Sequence, residues 1–90
     1  MVKILCNLTA IDIDTHHITT LYKTIGENVK KIRKQQGISQ LDLALAVGYK
    51  SVSSIAKAES LIEKKHFNIE QLYKISKALD VPIEKFFEGI

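Results

Sequence analysis

Ninety residues with 46% hydrophobic and 26% charged content describe one globular domain with a modest core, not a disordered chain. A single cysteine, Cys6, excludes an internal disulfide and gives no sign of an oxidising compartment, so the expected location is cytoplasmic. The net charge of +3 is concentrated in residues 25–60, where Lys30, Lys31, Arg33, Lys34, Lys50 and Lys57 outnumber Glu27, Asp42 and Glu59. A basic segment between neutral flanks is what a polyanion-binding face requires, and a solvated helix face looks the same.

The chain opens on alternation. Val2, Ile4, Cys6 and Leu8 recur at period two, and Ile11 and Ile13 then alternate with Asp12 and Asp14. That pattern predicts an extended arm, either a strand awaiting a partner or a loose terminus. Asn7 and Asp12 interrupt the apolar stretch, which argues against a signal peptide and against a membrane span. Residues 1–20 are therefore read as an arm and residues 21–90 as the main domain.

From Leu21 the period changes to that of a helix. Leu21, Ile25, Val29 and Ile32 form one stripe with lysines between them, and Gly37 marks the end. Ser39 fits the cap of a second helix that stops at Gly48, and a third is expected from about Ser51 or Val52 to Ser60. A polar, basic connector follows from Leu61 to Phe67. The fourth helix has the clearest start: Asn68 as cap, Gln71 at the third helical position, and Phe67 placed to staple onto Leu72. Ile69, Leu72, Ile75 and Leu79 are its predicted buried stripe. Pro82 then suits the first turn of a last short helix carrying Phe86 and Phe87. The fold class is all-α.

The second and third helices, joined through Gly48, have the order of a helix-turn-helix unit. In such a unit the first helix lies over the DNA backbone and the second enters the major groove by its N-terminal residues. Val52, Ser53, Ser54 and Lys57 lie on the side of the third helix away from Ile55 and Ala58. Serine hydroxyls can donate or accept, a lysine can reach guanine, and a valine can meet a thymine methyl. Lys50 and Ser51 in the turn and Lys30 on the first helix are candidates for phosphate.

These residues resemble a known family. Ile38-Ser39-Gln40-Leu41-Asp42-Leu43-Ala44, then Val47-Gly48, Ile55-Ala56-Lys57-Ala58-Glu59 and Ile75-Ser76-Lys77-Ala78-Leu79-Asp80-Val81, look like the phage lambda Cro/repressor type of helix-turn-helix, the XRE family. The resemblance spans about Ile25 to Phe87. It implies a five-helix, lambda-repressor-like bundle that binds double-stranded DNA as a homodimer on a partly palindromic operator. It also implies that Gln40 touches phosphate, that Val52, Ser53, Ser54 and Lys57 face bases, and that Lys64 and Lys65 run along the backbone. By the same match, Arg33 and Glu59 form a structural ion pair.

Three features depart from the family. The turn Tyr49–Ser54 is one residue longer than the commonest pattern, and the connector after Glu59 lacks the usual glycine and proline. Leu41 and Leu45 stand on the second helix where polar residues are usual, four apart on one face. Two arms paired antiparallel across a dimer could cover that face, and a dimer through Phe86, Phe87 and Ile90 is the competing arrangement. His16-His17 has no partner at metal-ligand spacing, and no phosphate loop or nucleophile elbow is present. No enzyme, metal, cofactor or small-molecule ligand is expected. The expected function is a DNA-binding transcriptional regulator, a repressor; the alternative is a protein-interaction module of the same fold, such as an antitoxin.

Overall fold

The computed structural model describes residues 15–90, which form four α-helices and two short 3-10 turns with no strand among them. Helix α1 (Thr15–Gln35) is the longest, with 21 residues. It starts six residues before Leu21, so residues 15–20 are helical and not part of an extended arm. The alternating segment Val2–Leu8 and the residues up to Asp14 lie outside the described residues. Ile25, Gly26, Val29 and Arg33 form the buried line of α1. Its end is closed by Gly37 at φ 70°, where the Gly37 amide donates to Lys34 and the Ile38 amide to Arg33. That is a Schellman ending, and it needs a residue free of Cβ strain in the left-handed region.

Helix α2 (Gln40–Ala46) is capped by Ser39, whose hydroxyl accepts the Asp42 amide at 2.9 Å. It ends the same way, with Gly48 at φ 84° and the Tyr49 amide donating to Ala44. The chain therefore leaves α2 at an angle set by Gly48 and, six residues after leaving that helix, enters helix α3 (Ser53–Ser60). Val52 caps α3 without a side-chain hydrogen bond. The connector holds a 3-10 turn, Ile62–Lys64, and then Phe67, which is only 3% exposed.

Helix α4 (Ile69–Leu79) carries the full capping box: the Asn68 side chain accepts the Gln71 amide at 2.7 Å, and the Gln71 side chain accepts the Asn68 amide at 2.8 Å. Phe67 and Leu72 are both buried, as the staple requires. One expectation for this helix fails. Ile69 is 66% exposed, because Phe67 fills the core at that end and Ile69, on the first turn, points outward. Leu72, Ile75 and Leu79 are buried, with Ser76 beside them donating its hydroxyl to the Tyr73 carbonyl.

The expected fifth helix is a 3-10 turn, Ile83–Phe87. Phe86 is completely enclosed within this chain's own core, so it cannot serve as a dimer surface, whereas Ile90 remains exposed. The turn is held to α1 by Asn28, whose side-chain amide donates to the carbonyls of Phe86 at 2.9 Å and Glu88 at 2.8 Å. Gln36 makes a similar tie, donating to the Leu79 carbonyl at 2.7 Å. No helix among the described residues is long and apolar enough to cross a membrane.

Helices α1 and α3 approach closely at Gly26. A Cβ placed on Gly26 would stand 2.7 Å from the Glu59 carbonyl oxygen and 2.9 Å from that of Ala58. Those are backbone atoms, so no side chain can rotate aside. Gly26→Ala gains about 1 kcal/mol of helix propensity, but it forces α1 and α3 apart at an overpacking cost of ~1–3 kcal/mol or more. The expected outcome is net destabilisation in urea unfolding, with the two helices separating; an Ala variant more stable than the parent would refute the contact.

Candidate nucleic-acid interface

The α1–α3 contact places the two charged residues that anchor the site. Arg33 lies two turns beyond Gly26 on the same buried line, and Glu59 is the α3 residue whose carbonyl meets Gly26. Arg33 Nε donates to Glu59 Oε2 at 2.8 Å and Nη2 to Oε1 at 3.0 Å. This is a two-pronged pairing that suits a planar guanidinium and a carboxylate. Nη1 donates to the Ile38 carbonyl at 2.7 Å, at the start of the segment leading into α2. Gln40 completes the group by donating to Glu59 Oε1 at 2.9 Å. The side chains of Arg33 and Glu59 are 6% and 0% exposed.

One buried cluster therefore ties α1, the entry to α2 and the end of α3 together. Gln40 thereby acquires a structural role, since one of its amide hydrogens is held by Glu59.

With its C-terminal end pinned, α3 buries Ile55 and Ala58 and turns its opposite side outward. Ser53 and Ser54 are exposed, while Val52 and Lys57 are half-buried. Lys57 follows Ser53 by four residues and Ser54 by three, so all three share one face. A cleft of about 350 Å³ opens beside them, lined by Ser53, Ser54, Lys57, Lys65, His66 and Gln71. The structure thus brings Lys65 to the serine face. Lys64 instead lines a separate groove with Ile18, Thr19 and Tyr22, and Lys30 lies on α1 one turn before Arg33. Lys50 and Ser51 are exposed in the turn that leads into α3.

Several residues of the region carry no legible sequence signal. His66 stacks on Tyr22 with ring centroids 3.6 Å apart and planes 11° from parallel, which fixes the connector against α1. Glu63 accepts a hydrogen bond from Lys57 Nζ at 3.0 Å. The connector backbone is unusual as well: Leu61, Glu63 and Lys64 have φ of 55°, 58° and 62°. Each such residue carries roughly 1–2 kcal/mol of left-handed strain that glycine would not. In the turn between α2 and α3, burial raises the phenol of Tyr49 above its ordinary 10.0, against the opposing influence of Gln71 and Lys74.

A model of the helix-turn-helix family matches residues 29–86, from the middle of α1 to the buried Phe86. The chain belongs to the Cro/C1-type, XRE helix-turn-helix family. Membership makes it a DNA-binding helix-turn-helix protein of the transcription-regulator class. The family's match excludes the first part of α1, including Tyr22 and Gly26, yet takes in the whole unit α2–turn–α3. No curated protein and no solved structure matches the chain.

The ion pair yields a direct test. Replacing Arg33 by Met, or Glu59 by Leu, strands the other charge in a dry site and is expected to cost ~3–5 kcal/mol. Replacing both removes the stranded charge, so the double variant is expected to lose much less than the sum of the singles. Urea denaturation of the four proteins measures this. Strictly additive losses would mean that the two side chains do not act as a pair.

Proposed function

We propose that this protein is a sequence-specific repressor that occupies a partly palindromic operator as a dimer, with α3 in the major groove. The observation carrying this reading is the outward face of α3. Ser53, Ser54 and Lys57 stand together on a helix that a buried ion pair holds rigidly, beside a cleft that also contains Lys65. Base edges would be read by Val52, Ser53, Ser54 and Lys57. Phosphates would be held by Lys50, Ser51, Lys65 and the remaining amide hydrogen of Gln40, with Lys30 and Lys64 farther out. Repression would follow from occupancy, since a bound domain excludes other proteins from the same groove.

A second reading is favoured by one observation: Leu41 and Leu45 are 53% and 64% exposed on a helix face. Apolar residues on an open face mark a surface made for another protein. In the repressor reading that surface serves the second copy of the dimer. In the alternative it holds an unlike partner, as an antitoxin would, and DNA binding is secondary.

Selection from a randomised duplex library, followed by binding at several salt concentrations, separates the two. The repressor reading expects one enriched, two-fold symmetric sequence, a dimer by sedimentation, and affinity that falls steeply with salt. Lys57→Ala is expected to lose ~1–3 kcal/mol on the enriched sequence and to relax preference at one position. Lys65→Ala should weaken all sequences alike. No enrichment with a flat salt response would leave the partner-binding reading.

A further inference from the structure

Lys57 is the one lysine on the reading face of α3, and it is not alone. Its ammonium donates at 3.0 Å to Glu63, on the connector that follows the helix. A carboxylate beside a DNA-binding face is repelled by phosphate, so its presence at that position calls for a reason. The backbone sharpens the point. Glu63 adopts φ 58° and ψ 29°, a conformation that glycine enters without strain. Leu61 and Lys64 on either side are left-handed too. The connector thus holds a charged side chain where local energetics favour none, and it aims that side chain at Lys57.

We infer that Glu63 is a specificity-determining residue that acts through Lys57, and this rests on α3 being the base-reading helix. The chemistry is a matter of charge against hydrogen bonds. A free lysine ammonium attracts every phosphate, and so strengthens binding to any duplex. Paired with Glu63, the two groups carry no net charge, and that indiscriminate attraction is cancelled. One of the three ammonium hydrogens is held by Glu63 and two remain, enough for the O6 and N7 acceptors of a guanine edge. The pair also limits where the ammonium can sit. Lys57 is 33% exposed and Glu63 60%, so the ammonium lies partly against the protein while the carboxylate reaches it from the solvent side. Glu63 thereby lowers non-specific affinity while leaving the base contact, which widens the ratio that matters in a genome.

The test uses the full chain, a duplex enriched from a randomised library, and a duplex of scrambled sequence. Glu63→Gln is expected to tighten binding to the scrambled duplex several-fold, to change the enriched duplex less, and to cut the specificity ratio by roughly fivefold or more. The salt dependence on scrambled DNA should steepen by about one unit, as a freed lysine adds a phosphate contact. Glu63→Gly removes the same carboxylate while relieving the left-handed backbone. It should lose specificity equally, with a thermal midpoint unchanged or raised. In a Lys57→Ala background, Glu63→Gln should no longer alter the ratio.

An equal shift on both duplexes would reduce Glu63 to a general repulsive charge and overturn the inference, as would an effect that persists without Lys57. Failure of the parent protein to enrich any sequence would instead sink the reading of α3, and this inference with it.

Discussion

The arrangement depends on one enclosed ion pair. Arg33 and Glu59 meet by two hydrogen bonds in a site with almost no access to water, and Ile38 and Gln40 fill the remaining positions around them. A lone charge there would be untenable, so the pair either forms as a unit or the helices do not close. Gly26 is its geometric counterpart. Only a residue without a side chain lets the α1 backbone come this close to the Ala58 and Glu59 carbonyls of α3. Together they fix the C-terminal end of α3 against α1.

The outward chemistry of α3 is modest by comparison. The outward side of α3 and its cap offers two hydroxyls, a valine and one lysine already engaged with a carboxylate. Hydroxyls accept and donate with little directional preference, so such a face discriminates by position and packing more than by strong bidentate contacts. A rigid mount matters more for such a face than for one built on arginines. The buried cluster under α3 supplies that mount.

Much of this is legible in the sequence wherever the signal is local. Asn68 with Gln71, Ser39 as a cap, and Gly37 and Gly48 as stops are each decided within five or six residues, and each forms as the pattern requires. The ion pair is legible only through family resemblance, because nothing local links positions 33 and 59. The start of α1 is hidden by Thr15, Ile18, Thr19 and Thr20, β-branched residues that read as extended and are carried into the helix by the rest of it. Ile69 escapes the stripe because a helical period cannot tell that Phe67, before the cap, takes the core position. The connector is least legible. Its left-handed residues are Leu, Glu and Lys, none of which announces such a backbone, and the close approach at Gly26 exists only once two distant segments have met.

Asn28 has a consequence for how the chain comes to be folded. Its amide joins the long first helix to carbonyls 58 and 60 residues further on, and Phe86 beside that junction is wholly enclosed. The core is thus sealed by a segment that follows all four helices in the chain. A nascent chain that has emerged only as far as the connector already possesses all of α2 and α3. It still lacks α4 and the aromatic plug on which their packing depends. Closure of that loop requires contacts of long sequence separation, which form late and slowly relative to the helices themselves. The helix-turn-helix unit α2–α3 is therefore made before the elements that stabilise it.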